Sequence, residues 1–126
     1  MTSSTVLKVQ KKFTEKPLDF KNIRFNGYRF DIGSWLVVYW IKNDLKKVRI
    51  VWNLNRKIGS APIRNRMKRW SREFLRKNLN DITKNHGLDF NFAFKTNVEK
   101  VFYKDLRHGD FDSDLKNLEK RIRKSI

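Results

Sequence analysis

Cysteine is absent from this chain of 126 residues. That excludes disulfides, a thiol nucleophile and any thiolate metal site. Histidine is scarce as well, with only His86 and His108. Each stands next to a glycine in a polar stretch, so both read as exposed loop residues. No Ser/His/Asp or Glu/His arrangement accompanies them, and no ligand spacing suggests zinc. The cluster Asp110, Asp112 and Asp114 is explained by a helix start. Neither a catalytic centre built from side chains nor a protein metal site is expected. No apolar run approaches the ~20 residues that a membrane-spanning helix needs. Met1 to Lys12 is polar and lacks the apolar core of a secretory signal. These features predict a cytoplasmic protein, bacterial in style, with no membrane partner. Internal repeats and low-complexity linkers are missing too, and the length suits one domain with one core. Acidic residues are the last shortage: 13 Asp and Glu stand against 30 Lys and Arg, a formal net charge of +17.

Aromatic residues, by contrast, make up 13% of the chain, including ten Phe and four Trp. That is too much greasy surface for a disordered basic tail. A folded domain this cationic calls for a polyanionic partner, nucleic acid before any other. The charge concentrates between Arg64 and Lys77, where seven residues are Lys or Arg and Glu73 is the only acid. At about 100° per residue, Ile63, Met67, Trp70 and Phe74 share one helix face. Asn65, Lys68, Arg69, Arg72 and Arg76 fall roughly opposite, with Arg64 and Arg66 on the flanks. Like charges four residues apart repel, and a polyanion lying on that face relieves the repulsion. The bias towards Arg fits bidentate contacts to phosphate oxygens. Gly59 precedes this helix, where backbone N–H groups attract anions, but the Lys-Ser/Thr ending of a nucleotide-binding P-loop is missing.

Other elements follow from pattern. Residues 1–13 form a basic lead-in, and residues 14–126 form the domain. Thr14-Glu15-Lys16-Pro17 carries helix-start signals, predicting a helix to Phe25 closed by Gly27 in a left-handed cap. Phe20 and Arg24 share its face. Residues 34–42 form a central strand, apolar on both faces. The next strand alternates: Val48, Ile50, Trp52 and Leu54 point one way, and Arg49, Val51, Asn53, Asn55 and Lys57 the other. After the basic helix, a tail carries Leu75, Leu79 and Ile82. Leu88, Phe90, Phe92 and Phe94 then alternate with Asp89, Asn91, Ala93 and Lys95 along a half-buried strand. A short helix falls within Val98 to Leu106. A last helix starts at Asp110 or Asp112 and buries Phe111, Leu115, Leu118 and Ile122. A helix between two candidate parallel strands indicates an α/β sandwich. Phe20 and Tyr39 are core by default, with base stacking as the alternative.

The run Gly59-Ser60-Ala61-Pro62-Ile63-Arg64-Asn65-Arg66-Met67-Lys68-Arg69, with Arg72-Glu73, resembles the Arg-Asn-Arg signature of the bacterial ribonuclease P protein subunit family. The strand into Arg56-Lys57-Ile58-Gly59 resembles that family's strand and basic loop. The likeness extends over Pro17 to Ile126. It implies a two-layer α/β (α+β) sandwich in αβββαβα order, with a four-stranded sheet. It also implies a left-handed βαβ crossover of a ribosomal-protein domain type, where physics alone favours the right-handed form. It implies that the RNA subunit hydrolyses phosphodiesters with Mg²⁺, which is held mainly by RNA, while the protein assists removal of the 5′ leader from precursor tRNA. The residues implied for RNA binding are Arg56, Lys57, Arg64, Asn65, Arg66, Lys68, Arg69, Arg72 and Arg76. The leader-cleft positions the resemblance implies are Phe20, Asn53, Asn55, Lys57, Arg64 and Asn65, together with Tyr39. The chain departs from the family at Arg24, where an aromatic is common, at Asn53 and Asn55 in place of small hydroxyls, and at Pro62 in place of an aliphatic residue. Two other readings of the residues are a structural RNA-binding protein of ribosomal type and a DNA-binding module placing the Ile63–Lys77 helix in the major groove.

Overall fold

Alternation of apolar residues along four strands generates one sheet with two different faces. The computed structural model describes residues 17–126. The lead-in over residues 1–13 and the cap residues Thr14, Glu15 and Lys16 lie outside the described residues. The strands are β1 (Tyr28–Ile32), β2 (Leu36–Asn43), β3 (Val48–Asn53) and β4 (Gly87–Phe94), in the spatial order β1-β2-β4-β3. β1 and β4 run antiparallel to β2, and β3 runs parallel to β4. The helices are α1 (Phe20–Asn26), α2 (Ala61–Thr83), α3 (Phe102–Asp105), α4 (His108–Asp114) and α5 (Lys116–Lys124), with a 3₁₀ turn at Arg56–Ile58. This is a mixed α/β fold in αβββαβα-like order, and α2 makes the parallel crossover from β3 to β4.

One sheet face presents Leu36, Val38 and Trp40 of β2 and Leu88, Phe90, Phe92 and Phe94 of β4, all buried. Met67, Trp70, Phe74, Leu75 and Leu79 of α2 close over it, with Phe111, Leu115, Leu118 and Ile122 from the C-terminal helices. Each large side chain so buried contributes about 1.5–3 kcal/mol. Trp35, in the β1–β2 turn, sits among Phe94, Phe102, Tyr103 and Phe111 with ring centroids 5.5–6.3 Å away. The Tyr103 hydroxyl ties that corner together, 2.8 Å from the Trp35 carbonyl and 2.6 Å from the Lys95 carbonyl. The other sheet face is more polar and, among the described residues, is crossed by α1, whose Ile23 is buried.

Several expectations are corrected. α1 begins at Phe20, with Pro17 and Leu18 outside it. Asp19 is the cap, its carboxylate accepting from the Lys21 N–H at 3.0 Å. Gly27 is extended (φ −100°, ψ −168°), not left-handed. Its need for glycine is spatial, since a β-carbon there would collide with the Ile23 and Trp40 carbonyl oxygens. β1 has no counterpart in the alternation reading: it is a five-residue edge strand with only Ile32 buried. β2 starts at Leu36, because Ser34 and Trp35 belong to the turn. β3 ends at Asn53, so Asn55 and Lys57 do not continue its face. Asn55 caps the 3₁₀ turn instead, accepting from the Lys57 N–H at 2.9 Å. The tail expected after Phe74 is the second half of one 23-residue helix. β4 is buried along almost its whole length, not half-buried, because it is central and its polar side chains are bonded. The last helix starts at His108 and breaks at Leu115 into α4 and α5.

Candidate RNA interface

The helix α2 carries the first surface. Pro62 sits in its first turn, where no backbone donor is lost. Gly59, at φ +153°, occupies backbone space that L side chains avoid. Arg64 pins this loop, donating from Nη1 to the Gly59 carbonyl at 2.6 Å. Asn65, Arg69, Arg72 and Arg76 are exposed, as the amphipathic reading required, whereas Lys68 on the same face is half-buried. Arg56 and Lys57, on the turn ahead of the helix, are exposed as well. Three of the cations are also anchored on indole rings. Arg66 lies 5.5 Å from the Trp70 ring centroid, Arg72 4.6 Å from that of Trp52, and Lys68 5.7 Å from the same ring. Such contacts cover ring surface with the stems and hold the charged heads outward.

The second surface is the polar sheet face under α1, and its centre is Arg24. The guanidinium lies 5.2 Å from the Phe20 ring centroid and 5.0 Å from that of Tyr39. Its Nε donates to Asn91 Oδ1 at 2.8 Å and its Nη2 to Asn53 Oδ1 at 3.0 Å. Asn91, fully buried, donates in turn to Asn53 Oδ1 at 2.7 Å and to the Val51 carbonyl at 3.2 Å. Arg29, on the neighbouring edge strand, lies 5.7 Å from the Tyr39 ring. It also pairs with Asp31 at 2.8 Å, which holds that carboxyl below the usual carboxylate range. Further along the face, Asp89 accepts both arms of Arg49 at 2.8 Å and the Asn43 amide at 2.7 Å.

The structure therefore brings together Phe20, Tyr39 and Asn53, and separates Asn55 and Lys57 from them onto the turn leading to α2. Sequence reasoning missed Asn91, though the polar face of β4 already contained it. Arg24, which the sequence places on the same helix face as Phe20 and marks as a departure from the family, is the centre of the cluster. The histidines divide. His86 is exposed in a loop, as expected. His108 opens α4, stacks flat on Trp70 at 4.8 Å and lies 3.4 Å from Glu73 and 3.7 Å from Asp112. It is thus a half-exposed structural contact and not a free loop residue. Among the described residues no group of His, Asp or Glu could hold a metal ion, and no helix is long and apolar enough to cross a membrane.

A sheet with a cationic helix on one layer and, on the other, a polar face where Arg24 lies against the Phe20 and Tyr39 rings defines a basic α/β domain of the RNA-binding class. The chain belongs to the ribonuclease P protein component family: the family model described as Ribonuclease P matches residues 7–123. The ribonuclease P protein component of Clostridioides difficile is 33% identical over 115 residues, spanning 91% of this chain and 95% of that relative. The Fusobacterium nucleatum component is 33% identical over 90 residues, 70% of this chain and 80% of the relative. The solved RNase P protein from Thermotoga maritima, in complex with 1-(4-fluorophenyl)-2-thiourea, is similar with a TM-score of 0.65 and 31% identity. It covers 82% of this chain and 92% of its own. The Staphylococcus aureus RNase P protein, 23% identical, shares the fold with a TM-score of 0.65 over 86% of this chain and 92% of its own. Family membership brings ribonuclease P association, tRNA processing and RNA binding, with an RNA subunit as partner.

Proposed function

We propose that the two surfaces divide the labour of one ribonucleoprotein. The cationic face of α2, with Arg56 ahead of it, neutralises phosphates of the RNA subunit through Arg64, Asn65, Arg66, Lys68, Arg69, Arg72 and Arg76. The cleft beneath α1 holds the single-stranded 5′ leader of precursor tRNA on Phe20, Tyr39 and Asn53, with Asn55 and Lys57 at its mouth. The RNA subunit performs the hydrolysis with Mg²⁺ that RNA itself mainly holds, and the reaction takes place in the cytoplasm. The observation that carries this reading is the Arg24 cluster. It sets a cation and two aromatic rings together on a face that the hydrophobic core does not need. An aromatic platform beside positive charge suits a single strand, whose bases stack and whose phosphates seek cations.

The supporting test mixes the protein with a ribonuclease P RNA and labelled precursor tRNA at low Mg²⁺. Release of the leader, faster than with RNA alone, is the expected result. No acceleration at any protein concentration would leave only a structural RNA-binding role.

A further inference from the structure

A groove of about 450 Å³ opens between the second half of α2 and the edge strand β3. Its floor is apolar, built from Val48, Ile50, Trp52 and Leu75, and its rim carries Arg72 and Arg76. It lies on the opposite layer from the Arg24 cleft, because Val48, Ile50 and Trp52 face the core side of the sheet. β3 is one of the two edge strands, so α2 covers it only in part and leaves these side chains half-buried. The Trp52 Nε1–H is enclosed yet has no hydrogen-bond partner among the described residues. Such an orphan donor costs free energy unless an acceptor arrives.

We propose that this groove takes one unstacked nucleotide of the RNA subunit, its base on the apolar floor and its phosphate between Arg72 and Arg76. Size supports this, since the volume falls within the range of small-ligand sites. Charge supports it too: among the described residues no acid lines the groove, and two guanidiniums suit phosphate oxygens. The chemistry also fits a base more closely than an aliphatic chain. Arg72, already stacked at 4.6 Å on Trp52, presents a guanidinium plane of the kind on which splayed RNA bases stack. Asn80 and Thr83 close the far end with groups able to pair with a base edge. The inference rests on the reading that α2 faces the RNA subunit, and it adds a specific nucleotide pocket to a face otherwise proposed only as a charge surface.

Two measurements test it. In the first, AMP is titrated into ¹⁵N-labelled protein while the Trp52 indole N–H resonance is followed, assigned by its loss in Trp52→Phe. The resonance should move with AMP and stay in place with inorganic phosphate alone. No movement with AMP, or equal movement with phosphate, overturns the proposal. In the second, Thr83→Trp fills the groove without changing charge. The affinity of the full chain for ribonuclease P RNA should fall about 10-fold, the scale of one lost base stack, with the salt dependence unchanged. Equal affinity in a Thr83→Trp protein that melts like the wild type overturns the groove alone. Failure of the wild type to bind the RNA would overturn the underlying reading of α2. Should Thr83→Trp not fold, the AMP titration decides.

Discussion

Arg24 is the residue on which the cleft turns. The buried Asn91 Oδ1 receives its hydrogen bond from the Arg24 Nε, so Arg24→Ala leaves a buried acceptor unsatisfied. The expected loss is about 1–3 kcal/mol of stability, measurable by urea unfolding. Arg24→Lys should not restore it, because an ammonium cannot span Asn53 and Asn91 in a planar fork. Tyr103 offers a second test at this scale. Burial pushes its phenol well above the ordinary value, so the folded state keeps the hydroxyl protonated. A folded-state pKa raised in this way contributes stability that is fully present below about pH 10 and lost as pH rises towards the folded value. Tyr103→Phe, which forfeits the contact to the Trp35 and Lys95 carbonyls, should cost about 1–2 kcal/mol at pH 7. The gap between wild type and variant should narrow above pH 10, as followed by denaturation at a series of pH values.

Among the elements, α2 must satisfy core and partner at once. Trp70 is buried between Phe111 and His108, so Trp70→Ala should cost roughly 3–5 kcal/mol. Arg69, exposed and free of any ring contact that the structure records, is the clean probe of binding. Arg69→Ala should leave the melting temperature in place and weaken affinity for the RNA subunit. Arg72 mixes the two roles, since it also covers Trp52. A stable Trp70→Ala protein with collapsed RNA binding would mean that the faces are reversed. The helix faces were legible because a 3.6-residue period leaves little freedom in a long amphipathic helix. Its length was not, since Leu75 and Leu79 shift the apolar stripe and mimic a break. β1 was illegible for a different reason: an exposed five-residue edge strand buries too little to leave a pattern. The polar face of β4 was read correctly residue by residue. Its burial was not, because burying Asp89 and Asn91 depends on partners from β2, β3 and α1 that lie far away in sequence. Phe20, Tyr39 and Asn53 were named together from the family resemblance, whereas Asn91, joined to them through Arg24, was only one polar position among several on β4.

At the scale of the molecule, a charge of +17 should govern association. If on the order of 5–8 phosphates are neutralised, log affinity should fall by about 0.7–0.9 per contact for each unit of log salt. A flat salt dependence would contradict the polyanion reading. His86→Ala and His108→Ala should leave cleavage by the assembled enzyme within a few fold, and protein without RNA should cleave nothing. A loss on the order of 10²-fold from His86→Ala would instead indicate general acid–base work by protein. The central claim, however, is that leader and RNA subunit occupy separate surfaces. The direct measurement is the affinity of the assembled enzyme for precursor and mature tRNA, wild type against Phe20→Ala with Lys57→Ala. Both side chains are exposed, so folding should be spared. Precursor binding should weaken on the order of 10-fold, as expected for one lost stack and one lost phosphate contact. Mature tRNA, which lacks the single strand, should bind as before, and equal weakening of both forms would contradict the account.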